Sequence, residues 1–136
     1  MSGNLSSRPV RPEDSVFLLA LFSSARQKEL DSIDWDTNSR QAFLEMQFQA
    51  QQSHYQEHFP LRDHRIVLLD KHPIGMTDIA RDEIEIRVLD IILKPENRNA
   101  GIGTTLMQAL VDEAEKSGKA VRLYVEKFNP AFGFYR

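Results

Sequence analysis

The chain has 136 residues, 41% hydrophobic and 27% charged, with a net charge of −3 and no cysteine. That suits one globular domain over residues 1–136 and excludes disulfides, thiolate zinc sites and a cysteine nucleophile. The charge gives no reason to expect nucleic acid or an anionic membrane as partner, no basic-then-apolar leader is visible, and the longest apolar run, Val16 to Phe22, is far too short to cross a bilayer, so a soluble cytoplasmic protein is expected.

Leu5 to Val10 reads as a short edge strand, since Pro9 suits an edge and not a sheet centre. Pro12, Glu13 and Asp14 open a helix whose body is Val16 to Ala25, with the proline in the first turn and the acids at the positive helix end. Residues 27–36 read as a loop. Asp36 or Thr37 caps a longer helix that runs to about His58 and is stopped by Pro60. Leu44, Phe48, Tyr55 and Phe59 form one stripe on it, Phe43, Met46 and Ala50 a neighbouring one, and Gln47, Gln49, Gln51 and Gln52 a polar face.

From His64 the pattern changes to alternation. Arg65 to Asp70 is a strand, Lys71-His72-Pro73 a tight turn, and Ile74 to Ala80 the returning strand; Arg81-Asp82 turns the chain again. Ile84 to Leu93 is the strongest strand. Ile84, Ile86, Val88 and Ile92 share one face, which Asp90 interrupts; the other begins with Glu85 and Arg87 and becomes apolar at Leu89, Ile91 and Leu93. A helix from about Gly103 to Lys116 carries an apolar face of Ile102, Leu106, Ala109, Leu110 and Ala114 and ends at Gly118. Val121, Leu123 and Val125 alternate in a last strand, and Pro130 sits in the first turn of a closing helix. The order β-α-α-β-β-β-α-β-α, with hairpin-linked strands followed by one helical crossover, predicts an α/β (α+β) domain with a mixed, mostly antiparallel central sheet.

The chemistry sits between Ile91 and Thr104. A strand ends at Leu93-Lys94-Pro95, and Arg98-x-x-Gly101-x-Gly103 then opens a helix. Such a loop presents consecutive backbone N–H groups at the positive end of a helix, which is a site for an anion such as pyrophosphate. A Rossmann fingerprint would need a small residue where Leu106 stands, and a phosphate-binding Gly-Lys-Ser/Thr loop fails because Gly118-Lys119 is followed by Ala120. A glycine helix cap with no ligand is the bland alternative.

This segment resembles motif A of the GNAT superfamily of N-acetyltransferases, Arg/Gln-x-x-Gly-x-Gly/Ala after a strand ending in a hydrophobic-x-Pro turn. Asn129-Pro130-Ala131 followed by Phe134-Tyr135 is similar to the family's next element. The resemblance implies a domain that moves an acetyl group from acetyl-CoA to a primary amine by direct attack, without a metal. It implies that the backbone of Ile91, Ile92 and Leu93 pairs with the pantetheine arm, and that Arg98, Asn99, Ala100, Gly101, Ile102, Gly103 and Thr104 hold the pyrophosphate. Asn129 would orient the cofactor and Tyr135 would protonate the leaving thiolate. A carboxylate often takes the amine proton, and Glu85, Asp90, Glu126 or a water are all available for that. His54 and His58 are bases, ligands or solvated helix residues. The acceptor is open: a protein N-terminus, a lysine, a polyamine or a small amine. A GNAT-like module that holds CoA without turnover is the alternative function.

The family domain usually continues past the tyrosine into closing strands, whereas this sequence stops at Arg136. A C-terminally truncated domain is therefore expected, with an open sheet edge beside residues 120–126. A homodimer would be one way to cover that edge.

Overall fold

The computed structural model describes residues 3–124. They divide into two compact units, one of residues 3–10 and 61–124 and the other of residues 11–60.

The first unit is a five-stranded sheet in the order β1-β2-β3-β4-β5, with one helix. β1 (Leu5–Pro9), β2 (Asp63–Leu69), β3 (His72–Arg81) and β4 (Glu85–Leu93) pair antiparallel with their neighbours. β5 (Ala120–Leu123) pairs parallel to β4, as a helical crossover requires. The mostly antiparallel mixed sheet of the sequence reading is therefore present. The β2–β3 turn is tighter than expected: Asp70 and Lys71, with φ of 49° and 71°, make the whole two-residue loop, and His72 and Pro73 already belong to β3. Positive φ at both central residues matches the right-handed twist of the flanking strands. After Arg81, Asp82 Oδ1 accepts from the backbone N–H of Ile84 and of Glu85, each at 2.8 Å. Ile84 consequently lies in this turn and is 75% exposed, not in the strand.

β4 carries a bulge that overturns the expected face assignment. Asp78 on β3 pairs with Asp90, but Ile79 pairs with Val88, so Leu89 is the extra residue. One inserted residue reverses the alternation beyond it. Ile86 and Val88 therefore share a face with Ile91, not with Ile92. That face, with Ile79 and Val121, packs against Met107, Leu110 and Ala114 of α4 (Ile102–Ser117). Ala109, expected on the apolar side of this helix, is exposed. Asp90 and Ile92 look to the opposite side of the sheet, with their partners Asp78 and Met76.

The helical unit opens with a short 3₁₀ turn, Pro12–Asp14, in which Asp14 Oδ2 accepts from the backbone N–H of Arg11 at 2.7 Å. α1 (Ser15–Ala25) follows. A short α2 (Gln27–Asp31) stands inside the segment expected to be a loop, with Leu30 buried. α3 (Thr37–His58) is capped by Asp36, whose Oδ1 accepts from Ser39 N at 2.6 Å. Leu44, Phe48 and Tyr55 are buried as expected, and Phe22 of α1 meets Phe48 edge-on at 5.4 Å. The second expected stripe does not hold: Met46 and Ala50 are exposed, while Gln51, read as part of a polar face, is 4% exposed.

Candidate functional site

The end of β4 and the start of α4 are joined by a loop fixed from both sides. Lys94 N–H donates to Ile74 O at 2.7 Å, which holds the strand end against β3. Pro95–Asn97 forms a 3₁₀ turn. Arg98 then folds back, its Nε donating to Leu93 O at 3.0 Å. Ile102 and Leu106, on the first turns of α4, pack on Val67, Ile74 and Leu93, so the helix start is pinned to the sheet. Gly75 of β3 lies under this corner; a Cβ there would run into the backbone oxygen of Ile92 and into Leu93.

Within the loop, Asn99 has φ 62° and Gly101 φ 83°. Gly101 is the N-cap residue of α4, and its carbonyl accepts from Thr105 N–H and Thr105 Oγ1, both at 3.0 Å. The N–H groups of Ile102, Gly103 and Thr104 precede the first intrahelical bond and point out of the helix end. Among the described residues, and apart from the chain neighbours and the helix's own backbone, nothing lies within 4 Å of where a Cβ would stand on Gly101 or Gly103. The first turn of α4 carries no acidic residue, so the positive end of the helix dipole is not neutralised from within. Arg98, Asn99, Ala100, Gly101 and Thr104 are exposed. An anion can approach this surface, and the donors, the dipole and the Arg98 charge all favour it.

Upstream, β4 pairs with β5 only through residues 85–88, and Tyr124 N–H closes the ladder on Val88 O at 2.9 Å. Among the described residues, no strand pairs with Ile91–Leu93 on that side. The strand edge there has the geometry for an extended partner, and it leads directly into the loop.

The carboxylates differ in their surroundings. Glu85 is buried at the far end of β4, with Arg122 Nε at 2.8 Å and Arg87 Nε at 2.5 Å on its two oxygens. Asp90 is half-buried beside the bulge. Asp78, which the sequence reading passed over inside the strand Ile74 to Ala80, is completely buried. Arg62 Nε lies 3.2 Å from its Oδ1, and His64 Nε2 lies 3.9 Å from its Oδ2. Burial pushes the Asp78 carboxyl up to about 7, against the lowering pull of Arg62 and with smaller raising contributions from Asp90 and Asp63. The signal for it was an aspartate amid Ile74, Met76, Ile79 and Ala80. His54 and His58 stack on α3 with ring centroids 4.2 Å apart, and His58 Nδ1 lies 3.0 Å from His54 O. Glu126, Asn129 and Tyr135, and the closing helix and sheet edge expected around them, lie outside the described residues.

A sequence model of the acetyltransferase (GNAT) family matches residues 25–136. The chain belongs to this family. No curated protein sequence matches it. Among solved structures, the GNAT chain is similar to the PaiA N-acetyltransferase of Thermoplasma acidophilum, determined in complex with coenzyme A. The TM-score is 0.59 and the identity 20%, over 97% of this chain and 86% of that one. An acetyltransferase from Streptococcus agalactiae gives a TM-score of 0.57 at 16% identity, over 96% and 79% of the two chains. These likenesses establish the GNAT fold. Among the described residues, no helix of this GNAT protein is long and apolar enough to cross a membrane.

Proposed function

We infer that this GNAT protein is an N-acetyltransferase that moves the acetyl group of acetyl-CoA to a primary amine in the cytoplasm, as one domain over residues 1–136. The observation that carries this reading is the open loop at the head of α4. Its left-handed Gly101 and bare Gly103 expose N–H groups directly downstream of a strand edge with no described partner at Ile91–Leu93. In this reading Arg98, Asn99, Ala100, Gly101, Ile102, Gly103 and Thr104 hold the pyrophosphate. Ile91, Ile92 and Leu93 hydrogen-bond the pantetheine arm as an added strand would. Asn129 orients the cofactor.

The amine nitrogen attacks the thioester carbonyl, the C–N bond forms, the C–S bond breaks, the departing thiolate takes a proton from Tyr135, and the proton the nitrogen loses as the amide forms restores the tyrosine through solvent. Attack needs a neutral nitrogen, so a base must first remove a proton from the ammonium.

Acetyl-CoA should raise the melting temperature, through a stabilisation of about 2.7 kcal/mol at a hundredfold excess over Kd. CoA release with a panel of amines then separates a transferase from a module that only holds CoA. Absence of any stabilisation overturns the cofactor site; stabilisation without CoA release from any amine overturns the enzyme.

A further inference from the structure

On the sheet face turned away from α4, ionisable side chains of three neighbouring strands stand in register. His64 on β2 pairs with Asp78 on β3, and Asp78 pairs with Asp90 on β4. Directly opposed residues in antiparallel strands place their Cβ atoms roughly 4.5–5.5 Å apart on the same face. Within this unit the charged and titratable groups around Asp78 are therefore Arg62, Asp63 and the His64 imidazole from the β2 side and Asp90 from β4.

Asp78 is anomalous as a structural residue. It has no exposed surface, and among the described residues neither of its oxygens accepts a hydrogen bond. The nearby guanidinium of Arg62, at 3.2 Å, does not meet hydrogen-bond geometry. A buried carboxylate in that condition destabilises the fold, and an apolar residue would suit a central strand better. Position supplies a reason for it to be there. If the pyrophosphate sits on residues 99–104 and the arm runs along β4 from Leu93 back to Ile91, it advances about 3.3 Å per residue. The next residue it reaches is Asp90, beside the bulge at Leu89. The thioester, and hence the incoming nitrogen, arrive at the outer member of the carboxyl row.

We propose that Asp78 and Asp90 form one proton-holding pair that receives the proton of the acceptor ammonium, Asp90 touching the amine and Asp78 acting through it. This rests on the acetyltransferase reading above. The ammonium gives one proton to the pair, and the freed lone pair attacks the thioester carbon. As the amide forms, the nitrogen releases its second proton. Tyr135 gives its own proton to the departing thiolate and is reprotonated, through solvent, by the one the nitrogen released, and the pair returns its proton to solvent. Asp90 is the catalytic residue and Asp78 the positioning residue that sets its proton affinity. The bulge has a role in this arrangement: without Leu89 as an inserted residue, Asp90 would not share a face with Asp78 while Ile86 and Val88 face α4.

The test has a titration arm and a kinetic arm. Carbon-13 NMR of the aspartate carboxyls should show Asp78 titrating far above the ordinary carboxylate range in the wild type. It should titrate lower in Asp90→Asn, because a like charge has been removed. Asp90→Asn, a change at a half-buried position, should cut kcat by roughly 10²–10⁴-fold while leaving the acetyl-CoA melting shift in place. Asp78→Asn should move the rising limb of the pH–rate profile to lower pH and reduce the plateau, again with CoA binding kept. An Asp78 signal that ignores Asp90→Asn, or a wild-type pH–rate profile in Asp78→Asn, overturns the pair while the transferase reading stands. A wild type that binds CoA and shows the coupled titration, yet acetylates no amine, overturns the transferase reading and the pair's role with it.

Discussion

Replacing Asp78 by asparagine should make the protein more stable above neutral pH and change little in acid. The folded state raises this carboxyl from its ordinary 3.8 to about 7. Between those values the fold binds more protons than the unfolded chain, so stability falls as pH rises through the window and stays low above it. The span is roughly three pH units, which at about 1.36 kcal/mol each makes ~4 kcal/mol the full difference between acid and alkaline conditions. Asparagine has nearly the same shape and no charge to desolvate, so the variant lacks this dependence. The rise to about 7 already includes the opposing pull of Arg62, 3.2 Å away, so the loss of that counter-charge subtracts nothing further. The expected stabilisation at about pH 8 is then the full ~4 kcal/mol, or an increase of roughly 12 °C in Tm for a chain of this size. Near pH 4 the two proteins should melt together. The assay is a pair of melts, wild type and Asp78→Asn, across that range. Parallel curves with a constant gap, of either sign, would show that Asp78 is not held in its neutral form by the fold.

Other outcomes follow from single features of the structure. Gly101→Val forces a β-branched residue to φ 83°, at a cost of about 1–2 kcal/mol, and should abolish the acetyl-CoA melting shift; an undiminished shift in a folded variant would remove the loop from the binding site. Tyr135→Phe should lower turnover by roughly 10²–10⁴-fold with CoA affinity kept, and full turnover would remove the tyrosine as general acid. Asp36→Ala deletes the side-chain bond to Ser39 N and should destabilise by about 1 kcal/mol in urea denaturation, with no change in CoA affinity.

The amino-acid sequence by itself determined the parts of this protein whose signals are local. The segment from Leu93 to Thr104 folds as read because proline, a left-handed glycine and a helix start constrain the backbone within a few residues. The amphipathic α4 and the antiparallel β2–β3–β4 run were legible from periodicity, and the Asp36 cap from its place before a helical pattern. What depends on partners distant in sequence was not legible. The stripe of α3 that is buried includes Gln51 and excludes Met46, because packing and not side-chain type decides which arc of a helix is covered. The bulge at Leu89 appears only when β3 and β4 are laid side by side, since register belongs to the pair of strands and not to either one. That one-residue insertion decides that Asp90 is no flaw in an apolar face. It places Asp90 opposite Asp78, in a row that ends at His64. Burial then shifts the Asp78 carboxyl to where it can exchange protons near neutral pH, a property no spacing of residues along the chain could have indicated.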